Sequence, residues 1–218
     1  MPASQHPLPY WRLSAYYFFY FAFIGAFSPY FGLYLQSLSF SAWDIGLLMS
    51  QMQLMRLFGP YLWGALADRA ARRVPIIRLA GAASLLGFAA FFLASDFVAL
   101  LVAMALMAFF WSAALPLVET ITFDHLRENA ASYSRIRVWG SVGFIVAVMG
   151  TGALLDLLPL PTLLWICMAL LAGIFVCAVL TPEPQCHYAS GTPVPVGELL
   201  RRPHVRALLA ACFAMSVA

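Results

Sequence analysis

Arg56 stands alone in a long uncharged stretch. Eleven uncharged residues separate it from Asp44 and eleven more from Asp68. A helix across that interval, rising 1.5 Å per residue, holds the guanidinium about 16 Å from either end. An arginine at the centre of a bilayer-spanning helix costs about 2.5–3.5 kcal/mol on insertion scales, so it should face a polar interior or an aqueous path. Two roles fit: binding or coupling to an anion, or pairing with an acid on a neighbouring helix. Gln51 and Gln53 lie about one turn to one side. Gly59-Pro60 lies just to the other, where neighbouring groups can approach.

Glu119 and Arg137 form a second constellation. Glu119 follows Pro116 near the end of one apolar run, and Arg137 precedes the next. On antiparallel neighbours the two reach similar depth. A carboxylate there can carry a proton, with the arginine setting its affinity by proximity. The alternative is a structural ion pair, with Asp124 or Arg135 as the partners. A third feature is aromatic. Tyr16, Tyr20, Phe23, Phe27, Tyr30 and Tyr34 follow three- and four-residue steps, interrupted by Ser28-Pro29. That face can stack on a ring-bearing ligand or pack against neighbouring helices and lipid.

Other chemistry is poorly represented. His6, His125, His187 and His204 have no partner at ligand spacing. Cys167, Cys177, Cys186 and Cys212 form no C-x-x-C pair, so neither a zinc site nor a disulfide framework is expected. G-x-S-x-G, H-E-x-x-H and a complete G-x-G-x-x-G are missing, so a polytopic membrane enzyme is disfavoured. No cofactor and no metal are expected. The net charge is +3 with no dense basic block, which argues against nucleic acid as a partner.

The elements that must position these residues are membrane helices. Hydrophobic residues make up 63% of the 218-residue chain and charged residues 10%, too few to coat a soluble core, where about 25% charged is usual. Charge-free runs long enough to cross about 30 Å of hydrocarbon recur at Leu13–Trp43, Leu79–Ser95, Phe97–Val118, Val138–Leu155 and Leu157–Pro182. Ile45–Ala67 is broken only by Arg56, and a last run begins near Val205. The pattern predicts an all-α membrane protein with six transmembrane helices and the start of a seventh. The first span is too long for a cleaved signal and lacks a cleavage pattern; Tyr10 and Trp11 suit the headgroup layer at its start.

All 12 basic side chains are arginine. Apart from Arg56 they cluster before span 1, around connections 2–3 and 4–5, and after span 6; connections 1–2, 3–4 and 5–6 carry Asp44, Asp96 and Asp156 instead. The positive-inside rule then puts the N-terminus and the even-numbered connections in the cytoplasm of a cell whose inner membrane the chain crosses repeatedly. Residues 1–180 form the six-helix bundle. Residues 181–204, with five prolines, read as a cytoplasmic linker, and residues 205–218 open the seventh span. A Gly-Ala-Leu-x-Asp ending recurs at Gly64–Asp68 and Gly152–Asp156, on opposite faces of the membrane. That placement fits two inverted three-helix repeats.

Gly64-Ala65-Leu66-Ala67-Asp68-Arg69-Ala70-Ala71-Arg72-Arg73 closely resembles the loop 2–3 signature of the major facilitator superfamily, departing at Ala71, where that family usually has glycine. The resemblance covers the chain but only half of a twelve-helix member. The runs Phe19–Pro29, Arg56–Gly59, Pro116–Glu119 and Arg135–Ser141 resemble the branch that holds the phenylpropionate permeases and lactose permease. In lactose permease the residues matching Glu119 and Arg137 form a charged pair that contacts sugar. The tryptophan on which it stacks galactose matches Phe144, which points away from a galactoside. Val138–Leu155 contains no proline, unlike the corresponding helix of the superfamily's drug–proton antiporters, so the resemblance favours symport.

The resemblance implies alternating access between two six-helix halves, the second half being a missing partner of this chain. Arg56 would hold the anionic group of a small-molecule substrate, with Tyr20, Phe27 and Phe144 lining the site. Glu119 and Arg137 would bind substrate or couple protons, and Gly64, Asp68, Arg69, Arg72 and Arg73 would form a cytoplasmic gate. Proton-coupled uptake of a small organic acid, such as an aromatic carboxylate, is the leading expectation. A sugar or nucleoside permease is the alternative within the class, and a non-transporting membrane scaffold or inactive truncated product the alternative outside it.

Overall fold

The structure, a computed structural model, describes residues 9–70, 72–94, 96–126, 132–184, 203, 205–207 and 211. Among these residues every regular element is helical: α1 (Tyr10–Ser37), α2 (Ala42–Ala70), α3 (Val74–Ala89, continued by a 3-10 turn to Phe92), α4 (Phe97–Trp111), α5 (Ala114–Leu126), α6 (Tyr133–Leu155) and α7 (Thr162–Leu180). The chain divides into two compact units, Met1–Cys186 and His187–Ala218. In the second unit Pro203, Val205–Ala207 and Ala211 are helical. The readings on Arg127, Arg201, Arg202, His6, His187, His204, Cys186, Cys212 and most of the linker lie outside the described residues.

Local chemistry explains where the helices begin and end. Pro9 precedes α1, and its carbonyl accepts from the Arg12 and Leu13 amides. Pro75 occupies the first turn of α3, where a missing amide costs nothing. Asp96 caps α4 by accepting from the Ala99 amide at 2.9 Å. Pro29 does not end α1, which continues to Ser37. Pro116 has a larger effect: its ring denies the Ser112 carbonyl an i+4 donor, and the fourth span breaks into α4 and α5 at Ser112–Ala113. Instead the Ala113 amide donates to Phe110 O at 3.2 Å. Phe109 O takes the Ser112 hydroxyl at 2.6 Å and the Trp63 indole of α2 at 3.0 Å. Every polar group exposed by a kink in a membrane helix needs such a substitute.

Five stretches are long and apolar enough to cross a bilayer: α1, Val74–Phe92, the α4–α5 pair, α6 and α7. The sixth, α2, has 29 residues, about 43 Å at the usual rise, but Gln51, Gln53 and Arg56 dilute its apolar character. The helices pack in a pattern that matches the repeat. Spans 1 and 5 (α1·α6) and spans 2 and 4 (α2·α4) are partners, as are spans 3 and 6 (α3·α7), spans 1 and 6 (α1·α7) and spans 3 and 4 (α3·α4). Exchanging the first three spans for the second three leaves this set unchanged, as two inverted triplets require.

The α1–α6 contact is the tightest. A Cβ added at Gly143 would stand 2.9 Å from the Phe18 carbonyl carbon and 3.0 Å from its Cα, closer still to the oxygen. Only glycine fits. The core inside the bundle is aromatic, with Tyr16, Tyr17, Phe23, Phe31, Phe88, Phe91 and Trp111 almost fully enclosed. The outer faces of α2 (Leu57, Phe58, Tyr61) and α6 (Ile145, Val146, Met149) are exposed and apolar.

Candidate functional site

Arg56 projects from the middle of α2 beside the break in the fourth span. Gly59, one turn on, packs on Ser112 so closely that a Cβ would overlap the serine side chain. The guanidinium therefore reaches α4 and lies 5.5 Å from the Trp111 ring centroid, within cation–π range. Its Nη1 donates to Gln53 Oε1 at 3.3 Å, and it interacts with the Tyr20 hydroxyl. Tyr20 in turn stacks on Trp111 at 4.8 Å with the rings 3° apart. Among the described residues both ion pairs within 4.0 Å belong to Arg73, so none of their carboxylates neutralises Arg56. The reading of Arg56 as half of an interhelical salt bridge finds no acid partner here.

Beside Arg56 lies a recess of about 80 Å³, bordered by Phe23, Phe27, Met49, Gln53, Arg56 and Trp111. A water's share of liquid volume is about 30 Å³, so the recess suits two or three waters or one small polar group. Phe27 borders it, while Tyr20 lies beneath Trp111. Both rings are 2% exposed, and the α1 aromatic ladder serves mainly as bundle core: Phe23, Phe27 and Phe31 stack in succession at 5.3 and 4.3 Å. Tyr30 donates to Val148 O at 2.9 Å. Phe144 stands apart from the recess, its backbone against Gly25 of α1 and its side chain exposed on α6.

Glu119 of α5 and Arg137 of α6 are neighbours but do not form a direct ion pair. Tyr133 stands between them, donating to Glu119 Oε1 at 3.4 Å and interacting with Arg137 as well. The Arg137 guanidinium covers the Phe21 ring at 4.0 Å and approaches Tyr17 at 5.6 Å. Asp124, the other candidate acid, pairs elsewhere.

That partner is Arg73. At the arginine-rich end of the bundle its Nη1 meets Asp124 Oδ2 at 2.6 Å and its Nη2 lies 3.7 Å from Asp68. Its amide donates to Glu183 Oε1 at 3.0 Å. One arginine thus ties the signature between α2 and α3 to α5 and to the chain leaving α7. Arg72 and Arg69 are exposed, and Gly64 has open space where a Cβ would point. The last carbonyls of α7, which lack helical donors, receive Arg78 at 2.9–3.2 Å and Arg12 at 3.1 Å.

Sequence reasoning missed Trp111, Tyr133 and Trp63. The signal for Trp111 was a tryptophan mid-span, far from the headgroup layer that this residue favours. Its Nε1 is buried without an acceptor. No group of three or more metal-ligating side chains occurs among the described residues.

Comparison with known proteins places this geometry in context. The MFS_1 like family matches residues 10–218. A maltose permease of Geobacillus stearothermophilus is 31% identical over 196 residues, covering 89% of this chain and 48% of that protein. A protein of Escherichia coli K12 named "Probable 3-phenylpropionic acid transporter" is 26% identical over 141 residues, covering 65% and 37%. The crystal structure of the nucleoside transporter NupG (D323A mutant) superposes with a TM-score of 0.77 at 21% identity, covering 86% of this chain and 48% of that one. At that identity the likeness concerns the fold. The chain spans about half or less of the length of the curated relatives it matches.

Proposed function

The chain belongs to the MFS_1 like family, and from that premise we propose that it is the N-terminal half of a secondary active transporter for a small organic anion. The observation that carries this reading is Arg56: a cation at the midpoint of α2, beside a recess and without a carboxylate partner among the described residues. Arg56 is exposed on this half, and a cation at the middle of a membrane helix needs an opposite charge or a polar path; here a substrate carboxylate supplies it. The E. coli relative named for 3-phenylpropionic acid supports an aromatic carboxylate as that substrate.

The second half covers the exposed apolar faces of α2 and α6 and forms the opposite wall of the path. The two halves rock about the site, opening it to one side at a time. Glu119, linked through Tyr133 to Arg137, takes up the coupling proton. Asp68, Arg73 and Asp124 brace the arginine-rich end within this half, and the exposed Arg69 and Arg72 face the second half when that end closes. In the cell that end faces the cytoplasm. A neutral sugar is the second reading, favoured by the maltose permease at 31% identity.

Radiolabelled uptake by cells expressing the full-length carrier tests both readings. The panel is 3-phenylpropionate, maltose and a nucleoside, with and without a protonophore. Accumulation of the carboxylate alone, abolished by the protonophore, is the expected result. Accumulation of maltose with no carboxylate uptake rejects the anion reading, and protonophore-insensitive uptake rejects proton coupling.

A further inference from the structure

Four buried polar atoms in the described bundle have no hydrogen-bond partner: Ser14 Oγ, Tyr16 Oη, Gln51 Oε1 and the Trp111 indole Nε1. Of these side chains only Trp111 borders the Arg56 recess. The indole is 2% exposed and held on three sides. Tyr20 is stacked against it, Phe23 packs at 5.8 Å and the Arg56 guanidinium stands 5.5 Å from the ring centroid. A buried donor without an acceptor is costly and rare in native structures. An indole offers one donor and no acceptor, so only an incoming acceptor can satisfy it.

Resting on the reading of Arg56 as an anion site, we propose that Trp111 is a substrate-binding residue whose indole N–H donates to the same carboxylate that Arg56 holds.

The break in the fourth span is what makes this arrangement possible. Trp111 is the last residue of α4, fixed in place because the freed Phe109 carbonyl is bonded to Trp63 and Ser112. Arg56 is brought to it because Gly59 allows α2 to close on Ser112. A carboxylate offers about four lone-pair sites on two oxygens. The guanidinium engages it from the recess, and the enclosed indole N–H engages it once the carboxylate displaces the side chains that cover it, whereas Gln53 Oε1 already takes Arg56 Nη1. The recess of about 80 Å³ fits a carboxylate group, with the rest of the substrate outside it toward the second half, and Trp111 acts in specificity through its N–H. It rewards a planar anionic end group over a hydroxyl-rich one, because a hydroxyl acceptor gains less from a cation-flanked donor.

The test is a binding titration of 3-phenylpropionate into purified full-length carrier, wild type against Trp111→Phe, with thermal stability measured on the same samples. Phenylalanine keeps a ring between Tyr20 and Arg56 but removes the donor together with part of the buried bicycle. The expected result is a Kd raised about ten- to a hundred-fold, the range for a hydrogen bond to a charged group, with little change in stability. Replacing Trp111 by 3-benzothienylalanine is the second variant. It keeps the bicyclic shape and puts sulfur in place of the N–H, so it decides the matter if phenylalanine unsettles the packing. Undiminished affinity in the benzothienyl variant overturns the proposal while leaving the anion reading intact. A wild type that binds no 3-phenylpropionate overturns the anion reading, and this inference with it.

Discussion

The tightest helix contact gives the sharpest test of the packing. At Gly143 an added Cβ would lie 2.9 Å from the Phe18 carbonyl carbon, where ordinary contacts begin near 3.4 Å. Alanine there requires α1 and α6 to part by about 0.5 Å at that carbon (3.4 less 2.9) and by more at the oxygen. Both are backbone atoms, so no rotamer change relieves the clash. Overpacking of this kind costs about 1–3 kcal/mol, and a gap of about 0.5–1 Å along the rest of the interface forfeits a quarter to a half of each dispersion contact. Alanine also gains about 1 kcal/mol over glycine in helix propensity, which blurs a comparison with wild type. Gly150 removes that ambiguity: it lies on the same helix with nothing within 4 Å of its Cβ position. Gly150→Ala carries the propensity gain alone, so the difference between the two variants isolates the clash. Thermal unfolding of the 218-residue chain in one detergent should place Gly143→Ala below Gly150→Ala by about 1–3 kcal/mol, roughly 2–10 °C for a chain of this size. Equal midpoints, or a higher midpoint for Gly143→Ala, would refute the packing.

Other consequences follow from the arginine-rich end. Asp124→Asn should destabilise the protein by about 3 kcal/mol, because it strips the 2.6 Å partner from a largely enclosed arginine. Asp68→Asn, at 3.7 Å and 75% exposed, should cost under about 1 kcal/mol; chemical denaturation of the two variants side by side checks the order. Arg78→Met keeps much of the side-chain length but leaves the Ala178, Val179 and Thr181 carbonyls without its donors. Amide exchange should then accelerate in the last turn of α7 and not in α4.

Arg56 was legible because a lone charge in an apolar run needs no tertiary information to be noticed, and the same holds for the arginine-to-aspartate split between the two ends. Helix existence was legible from run length. Partners were not. Asp124 and Arg73 lie 51 residues apart, and nothing local says that Arg73, rather than Arg135 or Arg137, receives the aspartate. The α1 aromatics followed a helical period that suits either a ligand face or a core. The choice was made by helices α3, α4 and α6, which close over them. Trp111 was hidden for a related reason: Pro116 signals a kink, but which side chain the kink turns toward Arg56 depends on where α2 crosses. Glu119 and Arg137 were read as a pair; the intervening hydroxyl of Tyr133, which meets both, depended on the first turn of α6.

The central claim is that the Arg56 charge awaits a substrate anion and not a protein acid. One paired measurement tests it: 3-phenylpropionate binding and thermal stability of purified full-length carrier with Arg56→Lys and Arg56→Gln. The replacements are both polar and similar in length, so the positive charge is what separates them. Arg56→Lys should retain measurable binding, and Arg56→Gln should lose about a hundred-fold or more in affinity, with both close to wild type in stability. Arg56→Gln with binding intact, or with a stability loss that Glu119→Gln restores, would contradict the account and return Arg56 to the scaffold.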